Sequence, residues 1–284
     1  MKYLVLGVNG MAGHMIAQYL IEQGYEVCGF AKTKSSFCRT VCGDATDKSA
    51  VLKALEVDSF DYVINALGVL NQYVDQNLSV GIYINSVLPH FLAEHLSGKP
   101  TKLIHISTDC VFEGTKGKYT EEDVQDATSY YGRSKALGEV IDDKNLTIRT
   151  SIVGPELKED GIGLFHWFMS QHNEVYGYEK VMWSGVTTLQ LAKSIAQDAV
   201  TPYTGLYHLV NNKFISKHDL LILFNKYCRR DALTIKSNTN FECDKTLICT
   251  HDEEKNSVPG YEEMVKEMAD WIYNHNNLYQ QYLQ

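Results

Sequence analysis

The segment from Tyr3 to Gly24 constrains this chain most: an apolar run, Tyr3 to Gly7, passes directly into GVNGMAG, and Gly7, Gly10 and Gly13 open a stretch of helical period. Glycine at these positions permits a tight strand-to-helix turn, close approach of backbone to a pyrophosphate, and tight packing of helix on strand. The helix N-terminus adds favourable charge for phosphate. Asn9 and Met11 lie inside the same candidate cofactor turn. The spacing is G-x-x-G-x-x-G, not G-x-G-x-x-G, so the triplet takes its meaning from the flanking strand and helix.

The strand-helix alternation continues. Strand candidates are Tyr3 to Gly7, Glu26 to Phe30, Arg39 to Cys42, Tyr62 to Ala66, Leu103 to Ser107 and Leu146 to Ser151, with helical segments between most of them. This predicts an α/β fold with a doubly wound parallel sheet over residues 1–151, its ligand crevice at the carboxyl ends of the strands. Beyond Ser151 the pattern loosens into a GPELKEDGIG loop, a helix starting at LFHWFMSQ, an amphipathic helix from Thr187 to Val200, a strand from Gly205 to Val210 and a helix from about Ser216. Residues 152–284 are expected to form mainly a smaller substrate-binding lobe, with 184–212 returning to the sheet.

With 284 residues, 44% of them hydrophobic, the chain can bury a large core. A net charge of −9 supplies no basic field for nucleic acid, so no nucleic-acid partner is expected. No apolar stretch is long enough to span a membrane, and the start lacks the pattern of a signal peptide, so no membrane association and a cytoplasmic location are expected. Seven cysteines in no metal-ligand spacing point to reduced, mostly buried thiols and to no metal site.

After the second strand come Lys32 and Lys34, with no acid. A carboxylate there would accept a ribose 2′-hydroxyl, whereas a cation suits a 2′-phosphate, so NADP(H) is favoured and NAD(H) is left open. Asp44 and Ala45 in GDATD, and Asn65, Ala66, Leu67 and Gly68 at the end of the fourth strand, would line the cofactor groove. Asp44 has a second reading, as the cap of a helix beginning near Asp47.

Tyr131 and Lys135 in YGRSK are four apart, hence on one helix face. A neighbouring ammonium would lower the phenol's pKa, fitting Tyr131 for proton transfer. Ser107, Thr108 and Asp109 fall at the end of the fifth strand, on the same rim as the glycine turn, where the Thr108 hydroxyl would hold a carbonyl oxygen beside Tyr131.

Taken together, GVNGMAG, ISTDCVFEG, YTEED and YGRSKALGE resemble the extended short-chain dehydrogenase/reductases, most closely their dTDP-4-dehydrorhamnose reductase branch, from Met1 to about Pro155. The resemblance implies a Rossmann cofactor domain, a catalytic trio of Thr108, Tyr131 and Lys135, and hydride transfer to the C4 carbonyl of a 4-keto-6-deoxy sugar nucleotide. Candidate substrate-binding residues are Asp109, Cys110, Ser151, His166 and Trp183, and a homodimer is left open. This chain has Cys110 where the branch usually has Tyr, and Ile152 where it has the Trp that helps hold the base. The stretch YEKVMWSGVTTLQLAK also departs from the branch, implying a remodelled sugar pocket with Trp183 as a new wall.

Two alternatives stay open. GDP-fucose synthases place a Cys and a His roughly where Cys110 and His166 stand, so a combined 3,5-epimerase and 4-reductase is one. A non-catalytic NADP-binding regulatory subunit, as among relatives associated with methionine adenosyltransferase, is the other. Nucleotide-sugar dehydratases pair Asp with Glu after the catalytic Thr, whereas here Asp109 precedes Cys110, which argues against dehydration.

Overall fold

The computed structural model describes residues 1–196, 202–251 and 258–283. β1 (Lys2–Leu6) leads through the glycine turn into α1 (Met11–Glu22), followed by β2 (Glu26–Ala31), β3 (Arg39–Cys42), α2 (Lys48–Leu55) and β4 (Tyr62–Asn65). Three helices follow, α3 (Asn71–Gln76), α4 (Leu78–Ile82) and α5 (Leu88–His95), with the π-helical turn Tyr83–Val87 between the last two. Then come β5 (Lys102–Ile106), α6 (Tyr130–Leu137) and β6 (Leu146–Arg149). The remainder comprises β7 (Ile152–Val153), α7 (Leu164–Met169), β8 (Glu174–Trp183), β9 (Val186–Thr187), α8 (Thr188–Ala196), β10 (Gly205–His208), β11 (Ile215–Ser216), α9 (Lys217–Cys228), β12 (Thr234–Asp244) and α10 (Tyr261–Asn274).

Seven parallel strands form the central sheet in the order β10-β6-β5-β4-β1-β2-β3. The direction of winding reverses between β1 and β4, which places the ligand crevice beyond Gly7 and Ala66. Both sheet faces are covered. Tyr3 and Val5 of β1 pack on the α1 and α8 side, while Leu4 and Leu6 face Phe30, Val63, Leu88 and Leu92 on the other. Burial on two faces explains why the strands read as continuous apolar runs.

A separate three-stranded sheet, β11-β8-β12, carries much of the smaller lobe. In its register Ile215 and Ser216 stand opposite Trp183 and Met182. The helix expected from Thr187 to Val200 is α8 as far as Ala196, and 197–200 lie outside the described residues. The expectation of mostly buried thiols is corrected: Cys28 and Cys249 are buried, Cys42 is exposed and the other four are half-buried. Among the described residues no helix is long and apolar enough to cross a membrane.

Candidate active site

The glycine turn is built as its spacing requires. Gly7 has φ +84°, a left-handed conformation that costs glycine little, and a Cβ on Gly13 would stand 2.1 Å from the Gly7 carbonyl oxygen. Gly10 caps α1 without any side-chain hydrogen bond and the first turn carries no acid. The N–H groups of Met11, Ala12 and Gly13 therefore open a positive helix end with no protein cap, which fits a pyrophosphate. Asn9 Nδ2 donates to the Thr33 carbonyl (2.9 Å), tying this turn to the loop after β2. Ala66 and Leu67 lie directly against Gly7, and the buried Asn65 accepts the Leu67 N–H (3.2 Å). Gly68 lies near Asn85.

At the adenosine end, Lys32 Nζ lies 3.1 Å from Asp44 Oδ2, both largely exposed. The Asp44 carboxyl is held down at about 2, first by the Thr46 N–H and hydroxyl and then by Lys32. Asp44 is not the cap of α2; that role belongs to Asp47, whose side chain accepts the Ser49 N–H (2.9 Å). Its carboxylate instead forms the turn at the end of β3 and orients Lys32. Ala45 is buried behind it. Lys32→Ala is expected to reduce a preference for NADPH over NADH by about one to two decades, because a charge-assisted phosphate contact is worth roughly 1.5–3 kcal/mol. Parallel titrations of both cofactors check this, and unchanged discrimination would remove Lys32 from the site.

Four side chains meet beyond β5. Thr108 caps a short 3-10 turn, Asp109–Val111, its hydroxyl accepting the Cys110 N–H (3.2 Å) and donating to Asp109 Oδ1 (3.1 Å). The same hydroxyl lies within hydrogen-bonding reach of the Tyr131 phenol, and Ser151 within reach of Asp109. Ser129 caps α6 by accepting the Gly132 N–H (3.1 Å), fixing the helix that presents Tyr131 and Lys135.

The electrostatics correct one expectation. Tyr131 is not a low-pKa phenol: burial first, then the neighbouring Cys110, raise it far above the ordinary value, and the Thr108 hydrogen bond only partly offsets this. The Lys135 ammonium donates to the Ile106 carbonyl (2.8 Å) and sits 3.4 Å from His105 Nε2. Desolvation outweighs any help the ammonium gives. Burial lowers Lys135 itself to about 8, opposed by Glu139. Cys110 is pushed up to about 12 by burial and by the charge of Asp109. At neutral pH the site therefore holds a protonated phenol and a protonated thiol.

Trp183 is only 3% exposed, its ring packed against Tyr261 and covered by Lys217 Nζ at 5.0 Å. As a bare sugar-facing wall it is corrected, since the lysine occupies its face. His166 also stands apart from the Thr108 cluster: it hydrogen-bonds the Tyr282 hydroxyl through Nδ1 (2.7 Å), and no hydrogen bond joins it to Cys110. Tyr282 also receives the Glu156 N–H (3.0 Å), and Glu156 Oε1 accepts the Gly163 N–H (2.7 Å) where Gly163 meets Met11. Nearby, the Tyr279 hydroxyl bonds His14 Nε2 (2.8 Å) on α1. His166 thus belongs to a C-terminal tail cluster bordering the cofactor turn.

The family described as RmlD substrate binding domain matches residues 1–243. The chain belongs to that family. It is 26% identical over 238 residues to the dTDP-4-dehydrorhamnose reductase of Aggregatibacter actinomycetemcomitans, covering 78% of this chain and 77% of the relative. It is 29% identical over 142 residues to methionine adenosyltransferase 2 subunit beta of Xenopus laevis, covering 49% of this chain and 41% of the relative. A solved dTDP-4-dehydrorhamnose reductase from Bacillus anthracis, in complex with NADP, has the same fold, with a TM-score of 0.77 at 20% identity over 94% of this chain and 98% of that one.

This RmlD-family member also carries site residues that the motifs do not reveal. Asn85, in the π-helical turn, pairs with the Val69 backbone in both directions (2.9 Å each) and with Ser134 (3.0 Å), so it fixes the loop after β4 against α6. π-Helical turns of this kind concentrate at functional sites. Lys217 and Lys245, whose charges act on Asp109, come from the lobe, where neither periodicity nor motif signals them.

Proposed function

We propose that this chain is an NADP(H)-dependent reductase acting on the C4 keto group of a nucleotide-activated deoxy sugar, with NAD(H) as a lesser alternative cofactor. The observation that carries the reading is the meeting of Thr108 and a protonated Tyr131 at the crevice rim, with Lys135 on the same helix. NADPH bound against the glycine turn supplies the hydride. Thr108 holds the carbonyl oxygen, and Tyr131 delivers its proton as the oxygen becomes an alkoxide. A phenol that keeps its proton is suited to that direction, and the Lys135 ammonium supports the phenolate left behind. A homodimer belongs to the same proposal, supported by the exposed Val87 and Leu137 lining one surface groove with Phe91, and sedimentation tests it.

Cys110 favours simple reduction over epimerisation coupled to reduction. With its thiol at about 12, only about one molecule in 10⁵ is thiolate at neutral pH, a poor base for a carbon acid. Incubation in deuterated water is therefore expected to add no enzyme-dependent deuterium at C3 or C5, and Cys110→Ser is expected to change the reduction rate little. Deuterium at either carbon, lost in Cys110→Ser and His166→Asn, would establish the epimerising mechanism.

The partial likeness to a methionine adenosyltransferase subunit supports the second reading, a regulatory NADP-binding protein. NADPH oxidation with a panel of 4-keto sugar nucleotides separates the two. Turnover supports the reductase; tight cofactor binding with no turnover on any substrate supports the regulator.

A further inference from the structure

Two lysines of the smaller lobe act on Asp109 of the catalytic cleft, and among the described residues neither has an ion pair or hydrogen bond of its own. Lys217 is the first residue of α9, placed there by the pairing of β11 with the end of β8 and by Ser216, which accepts the Asp219 N–H (3.0 Å). Its ammonium lies 5.0 Å over the Trp183 ring. The residue is half-buried, and among the described residues it makes no hydrogen bond and has no carboxylate within 4.0 Å. Lys245 follows β12, its stem packed on Gly114, and it too forms no ion pair or hydrogen bond among the described residues.

Both cations act on Asp109 and on Cys110. Asp109 is the acid that faces Lys217 in the cleft; Glu113, which also feels Lys245, is exposed and engaged by the Thr128 N–H and hydroxyl (3.0 and 2.9 Å). The position of Lys217 is costly on two counts. A cation in the first turn of a helix opposes the macrodipole, and half-burial removes water without supplying a counter-ion. Burial accordingly lowers its pKa to about 8. An anion arriving at this point would meet the helix end and the ammonium together, and both costs would become favourable terms.

Lys217 and Lys245 lie within electrostatic range of Asp109 and Cys110, the two residues that follow Thr108. In a 4-keto sugar nucleotide, one pyranose ring separates the reacting carbonyl from the glycosyl diphosphate. With the carbonyl at Thr108 and Tyr131, the lobe cations that act on the adjoining Asp109 are the ones offered to a diphosphate one ring away. We propose that Lys217 and Lys245 hold the diphosphate of the substrate, which makes them the residues that select a nucleotide-linked sugar over a free one. The orientation of the sugar rests on the reductase reading.

The test is calorimetric titration of the NADP-loaded protein with dTDP, UDP, GDP and CDP, which requires no turnover. Lys217→Met keeps the aliphatic stem over Trp183 and is expected to weaken the best-bound diphosphate at least ~10-fold, and the double change with Lys245→Met about 100-fold, since each contact is charge-assisted. Lys217→Arg is expected to retain affinity within about threefold. Undiminished NADP binding in every variant shows that the fold is intact. Equal diphosphate affinity in the wild type and the double variant would overturn the assignment and leave the reductase reading standing. A wild type that binds NADP but none of the four diphosphates would overturn both.

Discussion

Tyr131→Phe is expected to lower turnover by at least ~10²-fold while leaving NADPH affinity within about twofold, because the change removes a proton and little else. The phenyl ring keeps the packing of α6 on the 3-10 turn, and Thr108 can still hold the carbonyl oxygen. What is lost is the group that neutralises the alkoxide. Lys135→Met provides the contrast: its buried ammonium bonds the Ile106 carbonyl and is proposed to serve both phenolate and ribose, so cofactor affinity and turnover are expected to fall together. Fluorescence titration and single-turnover NADPH oxidation separate the two patterns. Wild-type turnover in Tyr131→Phe would end the assignment of Tyr131 as proton donor.

The largest effect on stability is expected away from the crevice. Arg149 and Glu139 are both about 1% exposed and form a two-pronged ion pair, with Nε to Oε1 at 2.9 Å and the second nitrogen to Oε2 at 2.6 Å. Glu139 also receives the Ser107 hydroxyl (2.7 Å) and Gln125 Nε2 (2.6 Å), while the third guanidinium nitrogen lies 2.9 Å from His208 Nε2. His208 Nδ1 in turn meets the Ile248 carbonyl (2.9 Å), and the backbone N–H of His208 donates to Glu121 (3.0 Å). One buried network thus joins α6, β6, β10, the acidic loop and the strand end that carries Thr108.

Arg149→Met would leave the Glu139 carboxylate buried with its main counter-charge gone. Such losses cost about 3–5 kcal/mol, which for a chain of this size corresponds to a fall in Tm of roughly 10 °C. Replacing Glu139 with Leu as well is expected to cost less than the sum of the single changes, since no stranded charge remains. Calorimetric scans check the cycle; a fall of under about 1 kcal/mol in Arg149→Met would show that the pair carries little stability. In the double variant turnover is expected to drop too, because Ser107 loses its Glu139 acceptor.

Much of the sheet was legible because its strands are buried on both faces and so read as apolar runs bounded by turn signals. The boundaries moved by one or two residues: β1 ends at Leu6 because Gly7 already turns at positive φ, and β6 ends at Arg149 before the chain leaves for β7. β8 and β12 were not legible. In β12, TIKSNTNFECD carries polar residues on both sides and is largely exposed, so it offers neither an apolar run nor a buried alternation; its pairing with β8 is a tertiary event. The C-terminal tail gave no local signal either, since Tyr279 and Tyr282 acquire meaning only from His14, Glu156 and His166 across the fold.

At the site, spacing located Tyr131 and Lys135 on one face and strand register brought Thr108 to them. The charge state was beyond the reach of spacing, because desolvation decides it: the phenol expected to be acidic is held protonated. The departure of YEKVMWSGVTTLQLAK from the related branch points to Trp183 as a wall of the sugar pocket, whereas the strand register places Lys217 over its ring.

The central claim is hydride delivery from NADPH to a sugar carbonyl at the Thr108 and Tyr131 cluster. The most direct measurement uses NADPH carrying deuterium on the transferring face of its nicotinamide C4, with 4-keto-6-deoxy sugar nucleotides of the four bases, and locates the label in the product by NMR. One deuteron at C4 of the reduced sugar, formed by the wild type and suppressed at least ~10²-fold in Tyr131→Phe, is the result expected. NADPH that binds but leaves every sugar unlabelled would contradict it.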